Sequence, residues 1–199
     1  MRLFLFNAHA TFDQAQVRQK TRVATASVRK ILRMLEGIGF LTRNSITRTK
    51  TTTRGKGKQK KTYKTKRKVT GWKLNKSFPY ISPLHNLLIN RDPFTQKEIT
   101  QKLSKGGKLK LVVISGVFIQ KWDSRVDILV VGDNLKKNVI TTIIRGMEAE
   151  VGKELTYAVF DTVEFMYRVN VFDKLIRDIF DFPHDVVLDK LDITKRLSS

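Results

Sequence analysis

The chain of 199 residues has no cysteine, which excludes disulfide bonds and thiolate metal ligands. That suits a reducing interior, and a cytoplasmic location is expected. Its three histidines, His9, His85 and His184, are too scattered to form a ligand set, so no metal site and no cofactor are expected. Long apolar runs are missing too. The longest, Leu109 to Ile119, is interrupted by Lys110 and falls far short of a membrane span. The opening segment, Met1 to Ala10, is apolar but short, and no secretory signal peptide is expected. The motifs G-x-S-x-G, the P-loop and H-E-x-x-H are absent, which removes three common enzyme readings. A hydrophobic fraction of 41% still supports a real core.

The most informative shortage is of acidic residues in the first half. Residues 1–105 hold 25 Lys and Arg against 4 Asp and Glu, whereas residues 106–199 hold 14 of each. The difference of 21 in the first half equals the whole net charge of +21. Such asymmetry predicts a polyanion-binding module joined to a neutral module with another task.

No acidic residue lies between Glu36 and Asp92, while Arg43, Arg48, Lys50, Arg54, Lys56, Lys58, Lys60, Lys61, Lys64, Lys66, Arg67, Lys68, Lys73 and Lys76 fall in that gap. Like charges at this density repel unless counterions or a polyanion screen them. Duplex DNA carries a phosphate every ~1.7 Å of axis and releases condensed cations when neutralised. Duplex DNA is therefore the expected partner. With Tyr63 and Trp72 as the only aromatics between Leu41 and Leu74, a base-stacking platform for single strands is disfavoured. Trp72 reads as a core anchor.

The segment before this run predicts two short helices with a break near Arg22 and Val23. The first spans Phe12 to Thr21. In the second, Val28, Ile31, Leu32, Leu35 and Ile38 repeat as one apolar stripe. Thr25 or Ser27 is the expected N-cap, and Gly37 and Gly39 the stop. Thr25, Ser27, Arg29, Lys30 and Arg33 occupy the other face. A second helix with a basic outer face suits recognition in the major groove, where arginine reads guanine. Leu41 to Lys50 and Thr62 to Leu74 alternate in strand fashion around Gly55 and Gly57, which predicts a hairpin wing with a basic tip. Expected wing contacts are Arg48, Lys50, Arg54, Lys56, Lys58, Lys60, Lys61, Lys64, Lys66, Arg67 and Lys68.

The phrases SVRKILRMLEGIGFL and FPYISPLHNLL, in this order around a hairpin, resemble the winged helix of ArsR-type regulators. The chain is most similar to small prokaryotic proteins that fuse such a domain to a nucleotidyltransferase-like domain. The resemblance implies an α+β protein: a winged helix-turn-helix over residues 1–78, a helical connector over 79–105, and a nucleotidyltransferase-like α/β sheet domain over 106–199.

The second half reads as strands over Leu109 to Phe118, Val126 to Val131 and Leu155 to Phe160. Helices are expected over Leu135 to Val151 and Val163 to Phe180, giving a small sheet with one helical face. Within it, ISGVFIQKWDSRVDILVVGD resembles the nucleotidyltransferase signature. That family places a Gly-Ser turn before an Asp-x-Asp pair that holds two Mg²⁺. Here Gly116 keeps the glycine, Val117 replaces the serine, Arg125 replaces the first aspartate, and Asp127 remains. One carboxylate cannot organise two-metal phosphoryl transfer. The expectation is a DNA-binding transcriptional regulator, not an enzyme, whose second domain senses a ligand or dimerises. A nucleotide pocket would use Gly116, Gln120, Arg125 and Asp127. The residues leave open an active nucleotidyltransferase, an RNA-binding module, a nucleotide ligand and a homodimer.

Overall fold

In the computed structural model the chain divides into two compact units, Met1–His85 and Asn86–Ser199. The structure describes residues 1–54, 61–89, 94–121 and 123–197, with side chains left aside at 50–54, 61–63 and 197. The expected turn at Gly55 and Gly57, and the contacts assigned to Lys56, Lys58 and Lys60, lie outside the described residues.

The first unit runs α1 (Arg2–Phe6), β1 (Phe12–Asp13), α2 (Gln14–Thr21), α3 (Thr25–Gly37), β2 (Leu41–Arg54) and β3 (Lys61–Leu74). Its sheet order is β1-β3-β2, antiparallel throughout. Asp13 starts α2 through a capping box with Gln16, satisfying backbone donors that the first turn would otherwise leave open. Arg22 closes α2 in the left-handed region. Val28, Leu32 and Leu35 bury one side of α3, beside Leu3, Phe4, Val17 and Phe40 in the unit's core. The stripe is narrower than expected. Ile31 and Ile38 remain exposed, because three buried residues per two turns already close this small core.

The hairpin is longer than its sequence pattern suggests. Its two strands of 14 residues pair without interruption from Leu41↔Leu74 to Arg54↔Lys61. At about 3.3 Å per residue each strand reaches about 45 Å. Its base is anchored in the unit by Leu41, Trp72 and Leu74, all buried. Farther out, residues 64–68 are exposed at every position, so neither face of that stretch packs on a core.

Helix α4 (Ile81–Leu88) follows, and α5 (Gln96–Ser104) opens the second unit's described core. The rest runs β4 (Lys108–Ser115), a 3-10 turn over Gly116–Phe118, β5 (Ile128–Asp133), α6 (Lys137–Val151), β6 (Tyr157–Asp161), α7 (Thr162–Asn170), α8 (Lys174–Asp181), β7 (His184–Asp189) and α9 (Ile193–Leu197). The sheet order is β6-β5-β4-β7. β5 and β6 are parallel, joined through α6, and the other pairs are antiparallel.

Instead of the one helical face expected, β4 and β5 are buried on both sides. Leu111, Val113, Leu129 and Val131 pack with Phe165, Ile176, Ile179 and Ile193 of α7, α8 and α9. The alternate residues Val112, Ile114, Ile128 and Val130 are equally buried, in company with Ile99, Leu103, Ile140, Ile144 and Met147. Continuous apolar runs in place of alternation follow from this double cover. The expected helix Val163 to Phe180 is two helices, broken where Phe172 takes φ 53. Among the described residues no helix is long and apolar enough to cross a membrane.

Candidate functional site

All five expected contacts on the second helix, Thr25, Ser27, Arg29, Lys30 and Arg33, are exposed on α3. The cap differs from expectation. Ala24 is the N-cap and no side chain caps the helix. Thr25 is instead the first helical residue, and its hydroxyl accepts a hydrogen bond from Arg18 Nη1 at 3.2 Å. Gln14 Nε2 donates to the Thr25 carbonyl at 3.4 Å. These two bonds tie α2 to the start of α3 and fix the angle between them. Arg18 and Gln14 therefore position the basic helix, a role that local sequence pattern does not reveal.

The acidic residues of this unit are Asp13 and Glu36 alone. Both are already held. Glu36 takes the Trp72 indole N–H at 3.0 Å and Arg43 through both carboxylate oxygens. The Trp72 bond, followed by Arg43, holds the Glu36 carboxyl below the usual glutamate range. Asp13 pairs with Arg48 at 2.7 Å. Arg48, expected as a wing contact, thus spends its charge within the unit; its register position lies on the half-covered side of β2, near β1. Lys64, Lys66, Arg67 and Lys68 remain as exposed cations along β3. Lys50, Arg54 and Lys61 hold paired positions in the outer hairpin.

Register sharpens the pattern. Thr47 is opposite Lys68 and Thr49 opposite Lys66, all four exposed. Lys64, Lys66 and Lys68 alternate, so they share one face, about 6.6 Å apart in steps of two residues. That approximates two nucleotide rises along one strand, at about 3.4 Å each. Short hydroxyls beside long cations make this face a row of hydrogen-bond donors suited to phosphate oxygens. A separate hollow of about 420 Å³ is lined by His9, Thr42, Lys73 and Lys76, with Lys76 Nζ 3.2 Å from His9 Nδ1. No local sequence pattern joins these residues, because only the Thr42↔Lys73 register brings them together.

In the second unit, Asp127 is buried and both its oxygens are engaged. Oδ1 accepts from Val117 N at 2.9 Å and Oδ2 from Thr156 N at 2.8 Å. Gly116 has φ 58, and a Cβ there would collide with Asp127 Oδ1. Gly116 and Asp127 are therefore in close contact, with both Asp127 oxygens committed to backbone donors. Arg125 lies in an ion pair with Asp178 at 3.0 Å, and Gln120 is exposed. These residues do not fit a pair of magnesium ions: the one carboxylate faces backbone N–H donors, and its neighbour is a cation. Among the described residues no group of three His, Cys, Asp or Glu could hold a metal.

A hollow of about 610 Å³ lies elsewhere in this unit, at the ends of β5 and β6. Asp133, Asp161, Glu164 and Tyr167 line it. Asp161 caps α7 through Glu164 N, and Asp133 accepts the Thr162 hydroxyl. The strand register, Gly132↔Asp161, is what brings these side chains together. Compared with known protein families, with curated proteins and with solved structures, the chain matches none.

Proposed function

We propose that the first unit binds duplex DNA, with α3 in the major groove and the hairpin along the phosphate backbone, and that the chain acts as a transcriptional regulator. One observation carries the reading. A hairpin of two 14-residue strands leaves its domain with exposed lysines, while the unit's only two carboxylates are already paired. Cations so placed release counterions only when a polyanion docks. The element order helix, strand, two helices and hairpin, with sheet order β1-β3-β2, supports a winged helix-turn-helix reading of this unit. Arg29 and Arg33 are then the side chains suited to base edges, and the lysines position without specifying.

We infer that the second unit has a supporting role and not a catalytic one. Its support is the commitment of Asp127 to two backbone donors and of Arg125 to Asp178. Titration of labelled duplex DNA over a range of salt tests the binding. A log–log plot falling by about 0.9 per neutralised phosphate is expected, with a slope steeper than about −4. Absence of binding at moderate salt would end the proposal. Tighter binding to duplex RNA of equal length would reassign the partner. Transfer of labelled nucleotide in the presence of Mg²⁺ would overturn the non-catalytic reading.

A further inference from the structure

We propose that the second unit pairs with a second copy of this chain through α7, the two helices antiparallel across a two-fold axis at Tyr167.

The apolar residues of α7 divide in two. Phe165 is wholly buried against the sheet. Val163 and Tyr167, with Val171 at the C-cap, follow at intervals of four and are 81%, 66% and 51% exposed, with Phe172 beyond them at 80%. Residues four apart share one helix face, so this is a continuous apolar stripe turned to solvent. Its order is a palindrome, valine-tyrosine-valine about Tyr167. An antiparallel pair centred there places each Val163 beside the partner's Val171, which is the self-complementarity that a two-fold interface demands.

Phe172 adds a second, independent mark. Its φ of 53 is a conformation that a bulky side chain avoids and that glycine or asparagine would take freely. Strain of this kind persists where something repays it. In the proposed pair Phe172 lies five residues past the axis and so faces residue 162 of the other copy. That is the rim of the hollow of about 610 Å³ lined by Asp133, Asp161, Thr162, Val163 and Tyr167. Charge agrees with this fit. The rim is acidic, whereas Lys174 and Arg177, just beyond Phe172, are basic and exposed.

Area and net charge favour a second copy as the occupant. Enclosed aromatics cover about 150–250 Å² each. At their exposures Tyr167 and Phe172 offer roughly 220–360 Å² per copy, so two copies with the valines and rims reach about 1,000 Å², the lower bound for a specific interface. The first unit would repel its own image. The second holds 18 Lys and Arg against 16 Asp and Glu, and does not.

The absence of native cysteine makes the test direct. Full-length Tyr167→Cys, freed of nucleic acid by nuclease and high salt, is oxidised mildly. A residue on the axis meets its own copy, so a covalent dimer is expected. Val163→Cys mixed with Val171→Cys should cross-link to each other in preference to themselves, since self-pairs lie about 12 Å apart along the helix at 1.5 Å per residue. In sedimentation, Tyr167→Glu should weaken dimerisation about 100-fold, as central aromatic contacts do. Phe172→Gly should raise the melting temperature of the monomer while weakening the dimer. A monomeric wild-type protein at concentrations on the order of tens of micromolar, where a specific interface of this size is populated, overturns the proposal. So does a dimer that persists in Tyr167→Glu, or a Tyr167→Cys dimer that forms no disulfide on oxidation. None of these outcomes depends on nucleic-acid binding.

Discussion

The two units use charge in opposite ways. In the second, several acids and bases are engaged by the fold. Asp161 and Asp173 cap helices, Asp178 holds Arg125, and Arg168 bridges Glu164 and Asp173. Asp189 gathers Leu191, Ile193 and Thr194; partial burial opposes its ionisation, yet these hydrogen bonds hold it below the usual aspartate range. In the first unit two carboxylates face a large surplus of cations, and local structure absorbs only a few. A charge that the fold uses is local and specific. A surplus that the fold leaves exposed is the part available to another molecule.

Substitutions can break this contrast at graded cost. The largest effect on folding belongs to the second unit. Asp127→Ala leaves Val117 N buried without its partner and also removes the bond to Thr156 N, and should cost about 3 kcal/mol. Thermal melting would register it, while DNA affinity stays unchanged; a parallel loss of affinity would deny the independence of the units. Next comes the surplus. Replacing Lys64, Lys66 and Lys68 with glutamine should flatten the salt slope by about 2.7, so the mutant loses about 40-fold less affinity than wild type between 50 and 200 mM salt. Its melting temperature should not move. An unchanged slope would remove that face from the interface.

Arg29→Ala, or Arg33→Ala, should cost about 1–3 kcal/mol on a preferred sequence and little on random DNA, measured by competition. Equal losses on both would make these arginines phosphate contacts. Arg48→Ala should show the reverse of the lysine result, about 1 kcal/mol of stability lost with little change in salt slope, because its partner is Asp13. The smallest effect is set by pH. Glu36 has a folded pKa below its unfolded one, so its contribution is full above the ordinary glutamate value of about 4.3 and is lost as pH falls through the lowered folded value. The Trp72 indole N–H resonance should shift over that acid range; no shift would deny the bond.

Much of the local structure is legible in the sequence. Val28, Leu32 and Leu35 announce α3, and the alternation of threonine with lysine announces the hairpin. What escapes depends on partners remote in sequence. β7 carries only Val186, Val187 and Leu188 between aspartates, and its stability comes from pairing with β4, far earlier in the chain. The break at Phe172 is hidden because Phe165, Ile176 and Ile179 on either side pack on the same sheet face, so the apolar rhythm continues across it. Asp127 reads, in sequence, as the remnant of a metal site. Its work, joining Val117 to Thr156, is visible only once the chain has folded. The register that gathers Asp133 and Asp161 is hidden for the same reason.

The outer hairpin has a further consequence. β1 meets β3 only at Gly71 and Trp72, so from Lys61 to Thr70 the hairpin has no third strand among the described residues, and its flanks offer ladder positions to any extended chain. Such open flanks invite sheet-to-sheet growth, and crowded lysine is the usual guard against it. The guard is electrostatic, so a polyanion that neutralises it also lifts it. Under the proposed function, saturation with nucleic acid should therefore bring hairpins of neighbouring chains into range of one another and favour condensation.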